Sequence, residues 1–249
     1  MKIEVDALSF SVGKKRILNG VSACFEGRRL YGVIGPNGSG KTTLLRHLYR
    51  QYPANGHIRI DGVPVEQISR RQYARRVAVM MQLQTFAESE LRVSEVVRTG
   101  RYPYKKVMLP YDRADEAIID EVLRETDLWA LRDRRVCTLS GGELQRVMIA
   151  RCLVQQPEVI LLDEPTNHLD IQYRVELMQR LRRFDGMAIL TLHDLNLAAR
   201  YCDILLLMKE GVILAGGAPR EILTTAWIER AFGVHIDIIE TDSEIYIGI

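Results

Sequence analysis

The sequence contains no apolar run approaching the roughly 20 residues that a membrane-spanning helix requires. Its apolar stretches are short and strand-like, as at Ile204 to Met208, so the chain is not expected to cross a bilayer by itself. Its start, Met1-Lys2-Ile3-Glu4-Val5-Asp6, alternates like an edge strand and has neither the apolar core nor the cleavage site of a signal peptide. A cytosolic setting is expected. Charge of one sign is scarce too: 34 Lys and Arg against 32 Asp and Glu leave a formal net charge of +2, which gives no general drive toward nucleic acid. The four cysteines, Cys24, Cys137, Cys152 and Cys202, form no CxxC pair and have no His at a metal-ligand spacing. Reduced thiols used as small buried apolar groups are expected instead. The lack of an internal repeat or a low-complexity linker argues against two flexibly joined domains.

What is present is a chain of 249 residues, 47% apolar, long enough to bury a substantial core. Its first third reads as strands. Ile3 to Phe10 and Gly20 to Phe25 alternate, Gly56 to Gly62 resembles a strand closed by a turn, and polar Glu66 to Arg71 leads to a buried strand at Val77 to Met81. An antiparallel sheet is the simplest arrangement for the early strands. After Gln82 the texture turns helical, over Val93 to Tyr102, Asp112 to Thr126 and Leu144 to Gln155. Strands then alternate with helices: Val159 to Asp163, Tyr173 to Phe184, Met187 to Leu192, Leu195 to Tyr201, Ile204 to Met208. That order implies a sheet covered on both faces. The tail reads as helical over Ile222 to Gly233 and strand-like over Ile236 to Ile247. The arginine clusters at Arg70-Arg71, Arg75-Arg76, Arg132 to Arg135 and Arg180 to Arg183 read as solvated faces, and Met80-Met81 as core and groove lining.

The most informative stretch is Gly35-Pro36-Asn37-Gly38-Ser39-Gly40-Lys41-Thr42, which follows the apolar run Leu30 to Ile34 and opens into a helical pattern from Thr43. It matches the phosphate-binding pattern GxxxxGK[ST], in which glycines let successive N–H groups converge on an anion. The helix start adds its positive dipole end, and Lys41 a full charge near the β- and γ-phosphates. Thr42 is expected to offer its hydroxyl to Mg²⁺. Asp163 ends an apolar strand and Glu164 follows it. A carboxylate there is placed to hold Mg²⁺, and the next one to orient or deprotonate an attacking water. Ser140-Gly141-Gly142-Glu143 is a second backbone nest leading into a helix, able to bind an anion in its turn.

Together these residues resemble, over nearly the whole chain and in the same order, the nucleotide-binding subunit of an ATP-binding cassette transporter. Gly35 to Thr42 resembles its Walker A loop, Gln82 its Q-loop, Leu139 to Glu143 its signature, Val159 to Glu164 its Walker B strand, His168-Leu169-Asp170 its D-loop and His193 its switch histidine. The resemblance implies an α/β fold: a P-loop NTPase, RecA-like core with an antiparallel β subdomain and an α-helical insertion. It implies one domain over 1–249, with 1–82 and 156–249 forming the core and β subdomain and 83–155 approximately the helical one. It also implies ATP and Mg²⁺ as cofactors. Gly35 to Thr43, Ser140, Gly141 and Gly142 would bind nucleotide, Thr42, Gln82 and Asp163 would serve the metal, and Lys41, Gln82, Glu164 and His193 would act in hydrolysis. Two copies would pack head to tail so that Ser140 and Gly142 of one cover the γ-phosphate held by Lys41 of the other.

Two positions depart from the family pattern. Glu143 stands where the signature usually has Gln, and Val12 where an aromatic residue usually stacks on adenine, with Phe10 expected to face away. Within the family the chain most resembles the ATPases of iron-siderophore, haem and vitamin B12 importers. The residues concerned are Val97 to Pro103, Pro165 to Asp170, His193 to Asn196 and Ile228 to Gly233. Two permease subunits, an indirectly linked substrate-binding protein and a place on the cytoplasmic face of the membrane are then implied, with no nucleic-acid partner. A cleft around Gln82 to Tyr104, lined by Leu83, Phe86 and Leu91, would receive the permease. A soluble ATPase of the Fe–S assembly type and an exporter subunit are the alternatives.

Overall fold

The computed structural model describes residues 1–80, 90–105, 110–167, 169–240 and 245–248. Alternation near the N-terminus yields β1 (Lys2–Val12) and β2 (Lys15–Glu26), an antiparallel pair turning at Gly13-Lys14. Ile3, Val5 and Leu8 are buried. The change from odd to even positions follows from an irregularity between Val5 and Leu8, where Ala7 has φ +45°. Next come β3 (Leu30–Ile34), α1 (Lys41–Leu48), β4 (Ile58–Ile60) and β5 (Val63–Pro64). Arg70 to Arg76, read from sequence only as a polar lead-in and a solvated face, is a helix, α2 (Arg70–Arg76). Ser69 and Gln72 cap it reciprocally, and it runs directly into β6 (Val77–Met80).

Helices then dominate: α3 (Val93–Arg98), α4 (Arg113–Glu125) capped by Asp112, and α5 (Gly141–Leu153) capped by Ser140. The first is shorter than its apolar pattern, because Thr99–Arg101 tightens into a 3₁₀ turn. Gly100 permits this close approach: a Cβ there would stand 2.1 Å from the Arg151 carbonyl oxygen of α5. Several arginines expected on solvated faces also bond main-chain carbonyls; Arg71 and Arg182 are exposed as expected, while Arg75 and Arg180 are half-buried. Arg71 donates to Pro103 at 2.9 Å and to Tyr104 and Lys105 at 3.0 Å, and Arg75 donates to Pro103 at 3.0 Å. Arg180 reaches the Glu125 carbonyl at 2.8 Å and Arg182 that of Tyr201 at 3.0 Å. A planar group with five donors suits chain ends that leave carbonyls unpaired.

The remainder alternates as expected through β7 (Val159–Leu162), α6 (Ile171–Arg183), β8 (Met187–Thr191), α7 (Leu195–Tyr201) and β9 (Ile204–Lys209). It ends with β10 (Val212–Gly217), α8 (Pro219–Ile222), α9 (Thr225–Phe232) and a hairpin, β11 (Asp237–Glu240) with β12 (Ile245–Gly248). One sheet runs β2-β1-β4-β5. The other runs β10-β9-β3-β8-β7-β6, parallel except for its edge strand β10. Its central strands divide their side chains by parity. Val159, Leu161, Met187 and Ile189 join β1, β2 and α1 in one apolar cluster. Ile160, Leu162, Ala188 and Leu190 join α5, α6 and α7 in another. Each such buried side chain contributes roughly 1.5–3 kcal/mol, so both layers are pinned to the strands whose C-terminal ends carry the site. Cys152 and Cys202 are buried as expected, but Cys24 and Cys137 are exposed. No helix among the described residues is long and apolar enough to cross a membrane.

Candidate functional site

The glycine-rich loop leaves β3 at Ile34 and returns as α1. Gly35 has φ +148° and lies against β9 so closely that a Cβ would meet the Met208 carbonyl oxygen at 2.1 Å. Gly40, at φ +103°, precedes the helix with no side-chain cap, leaving the first N–H groups of α1 directed at the loop. Asn37 and Gly38 form an exposed lip, Pro36, Thr42 and Thr43 are half-buried, and Ser39 and Lys41 are buried. Lys41 Nζ donates to the carbonyls of Gly35 at 2.8 Å and Pro36 at 3.1 Å. Burial lowers its pKa, against the opposing pull of Glu164 and then Asp163. Ser39 Oγ has no hydrogen-bond partner among the described residues. A buried orphan hydroxyl, a buried ammonium and unpaired amide groups in one cradle call for a polyanion.

The acids come from the end of β7, which is separated from β3 by β8. Asp163, just past β7, accepts the Thr42 hydroxyl on Oδ1 at 3.0 Å, and the Thr191 hydroxyl on the same oxygen at 3.0 Å. Oxygen donors of this kind, few in number and beside a phosphate cradle, suit Mg²⁺, which keeps water and phosphate in its shell. Glu164 is held at φ +49°, and its carboxylate accepts from Asn167 Nδ2 at 2.5 Å and meets His193 Nε2 at 2.7 Å. Lys41, Thr42, Asp163, Glu164 and His193 thus form one connected group. Gln82 lies outside the described residues, as do Leu83, Phe86 and His168.

The second nest is built separately. Ser140 Oγ accepts the Glu143 N–H at 3.3 Å, while Glu143 Oε2 accepts the Ser140 N–H at 2.8 Å and hydroxyl at 2.9 Å. The Ser140 backbone N–H, aided by the Ser140 hydroxyl, Arg134 and Arg146 and opposed by desolvation, holds the Glu143 carboxyl below the usual carboxylate range. Gly141 faces open space, whereas a Cβ on Gly142 would meet the Tyr173 ring at 2.4 Å. Among the described residues no hydrogen bond or ion pair joins Ser140, Gly141 or Gly142 to Lys41, Thr42 or Asp163. One link between the two halves is Gln145, buried in α5, whose Nε2 donates to the Pro165 carbonyl at 2.8 Å. Phe10 stacks on Tyr52 at 4.7 Å and meets His47 edge-on at 4.8 Å, while Val12 is 60% exposed. Thr191, Asn167 and Gln145 are not among the site residues that the sequence indicates. Of these only Thr191 carried a signal, as a lone hydroxyl within an apolar strand.

A glycine loop opening a helix, a buried lysine and a strand-end aspartate on a parallel sheet define a nucleotide-binding α/β ATPase. The chain belongs to the ABC transporter family, whose model matches residues 18–167. It is 37% identical to the ferric enterobactin transport ATP-binding protein FepC of Escherichia coli, over 96% of this chain and 90% of that protein. It is 39% identical to the hemin import ATP-binding protein HmuV of Bordetella avium, over 96% of this chain and 95% of that protein. Among solved structures, cbiO1 of Clostridium perfringens, part of the ABC transporter complex cbiONQ, superposes with a TM-score of 0.77 at 25% identity, covering 92% of each chain.

Proposed function

We propose that this protein is the ATP-hydrolysing subunit of an importer, energising uptake of an iron chelate, haem or a cobalamin-type substrate through separate membrane permease subunits. The observation that carries this reading is the 37–39% identity to a ferric enterobactin transport and a hemin import ATP-binding protein over 96% of the chain. Residues 1–249 act as one cassette, with 1–82 and 156–249 as core and β subdomain and 83–155 as the helical part that meets the permease. The protein works on the cytoplasmic face of the membrane.

Within the site, Gly35 to Thr43 wrap the phosphates and Lys41 exchanges its loop carbonyls for phosphate oxygens. That exchange gives the buried ammonium the contacting negative charge that the neutral loop carbonyls do not supply. Thr42 and Asp163, already hydrogen-bonded to each other, would hold Mg²⁺ together with Gln82. When bound, the metal neutralises charge on the phosphate oxygens. Glu164 orients the attacking water and takes its proton, and His193, bonded to Glu164 Oε1, keeps that carboxylate aimed. Ser140, Gly141 and Gly142 of a second copy close the site, their helix start facing the γ-phosphate. Neither half is complete alone, so ATP joins the two subunits and its hydrolysis releases them.

Purification from detergent-solubilised membranes of the native cell tests the transport reading. The protein is expected to come away with a polytopic membrane protein. Recovery entirely in soluble complexes would count against it and favour the Fe–S assembly type.

A further inference from the structure

We infer that Thr191 is a positioning residue for both acids of the site, an inference that rests on the proposed roles of Asp163 and Glu164. Thr191 lies at the C-terminal end of β8, the strand between β3, which feeds the phosphate loop, and β7, which feeds the acids. It is fully buried. A hydroxyl in such a place is costly unless bonded, and this one is used in both directions. It donates to Asp163 Oδ1 at 3.0 Å, the same oxygen that takes the Thr42 hydroxyl, and it accepts the Glu164 N–H at 2.7 Å.

The second bond matters because of the backbone it holds. Glu164 sits at φ +49°, a left-handed conformation that a residue with a Cβ adopts only when its surroundings impose it. The Thr191 oxygen is the acceptor that this turn requires, and the turn sends the Glu164 carboxylate toward His193 Nε2 and Asn167. One hydroxyl therefore fixes the rotation of the metal-side acid and the backbone of the water-side acid. Valine has the same shape without the hydroxyl. In its place the Glu164 N–H loses its acceptor and Asp163 Oδ1 keeps one hydrogen bond, from Thr42, instead of two, so the Asp163 carboxylate and the Glu164 backbone are each held less tightly.

Thr191→Val, Thr191→Ser and Glu164→Gln, each compared with the wild type in the full chain, test this. Steady-state ATPase rates give kcat and KM, and the electron paramagnetic resonance of free Mn²⁺ gives metal affinity in the presence of a non-hydrolysable ATP analogue. Thr191→Val is expected to lower kcat by about 10- to 100-fold with KM for ATP little changed, and to weaken Mn²⁺ binding about tenfold. Thr191→Ser, which keeps the hydroxyl, is expected to restore most of both. Wild-type kcat and Mn²⁺ affinity in Thr191→Val, or an equal loss in Thr191→Ser, would overturn the inference. If Thr191→Val does not fold, Thr191→Ala against Thr191→Ser decides on the same readouts. Glu164→Gln isolates the underlying reading: normal turnover there removes Glu164 from the chemistry, and Mn²⁺ affinity in the Thr191 variants alone then judges the Asp163 arm.

Discussion

Arg101 joins three parts of the helical region, and removing it has a cost that can be worked out. It is 6% exposed and its partner Asp115 8%. Its Nε donates to Asp115 Oδ1 at 2.7 Å, and its Nη1 to the Val154 carbonyl at 2.9 Å and Gln156 Oε1 at 3.1 Å. The guanidinium also lies 4.0 Å from the Tyr104 ring centre. Arg101→Ala strands a buried carboxylate, a loss of about 3–5 kcal/mol, and unpairs the Val154 carbonyl for about 1 kcal/mol more. The sum, about 4–6 kcal/mol, is a large share of the 5–15 kcal/mol typical of a domain. Replacing both partners, Arg101→Met with Asp115→Leu, removes the stranded charge and is expected to recover most of the loss. Equilibrium urea unfolding measures this through the midpoint, with the m-value unchanged. A loss below about 1 kcal/mol for Arg101→Ala, or a double variant that merely sums the singles, would mean that Arg101 and Asp115 do not depend on each other as a buried charge pair. The consequence reaches the site, because Val154 ends α5 and Ser140 begins it, about 20 Å away along the 13-residue helix.

Four further outcomes follow from the same geometry. Glu143→Gln keeps the cap on α5 but removes its charge, so it is expected to lose about 0.5 kcal/mol of stability and to dimerise at lower ATP concentration, read by light scattering. The lowered pKa of Glu143 also fixes a pH effect. Its ionised form contributes stability above the ordinary carboxylate range, and that contribution is lost as pH falls from that range through the lowered folded-state value, so acid unfolding of Glu143→Gln is expected to be shallower than that of the wild type. Gly142→Ala drives a methyl into the Tyr173 ring; ATP binding by the monomer should persist while ATP-dependent dimerisation fails. Asn196 makes two bonds to the backbone of Ile247, at 3.1 and 2.8 Å. Asn196→Ala should release β12 by about 1–3 kcal/mol, visible as faster hydrogen exchange at the Ile247 amide.

The sequence made the alternating second half legible because each buried strand there is apolar and each helix amphipathic; α7 begins and ends where its pattern does, at Leu195 and Tyr201. It made α2 illegible because four arginines in seven residues hide any apolar face, although Ser69 and Gln72 already spell a capping box. The edge strand β10, Val-Ile-Leu-Ala-Gly-Gly, has too little alternation to announce itself and exists because β9 offers it an edge. At the site, motif spacing indicated which residues belong together, since a strand-loop-helix unit and two strand ends must meet on a parallel sheet. What spacing does not carry is side-chain bonding. The Thr191 bridge, the Asn167 contact and the Gln145 tie join residues 27, 3 and 20 positions apart, and only the folded register of β7 against β8 creates the first of them.

In the proposed mechanism the phosphate loop is half of a site, and Glu164 times its opening. Sedimentation of Glu164→Gln with saturating ATP and Mg²⁺ tests it most directly. A stable dimer is expected, falling back to monomer when Ser140→Arg is added to the same chain. A species that remains monomeric with ATP bound, or that turns ATP over at the wild-type rate, would contradict it.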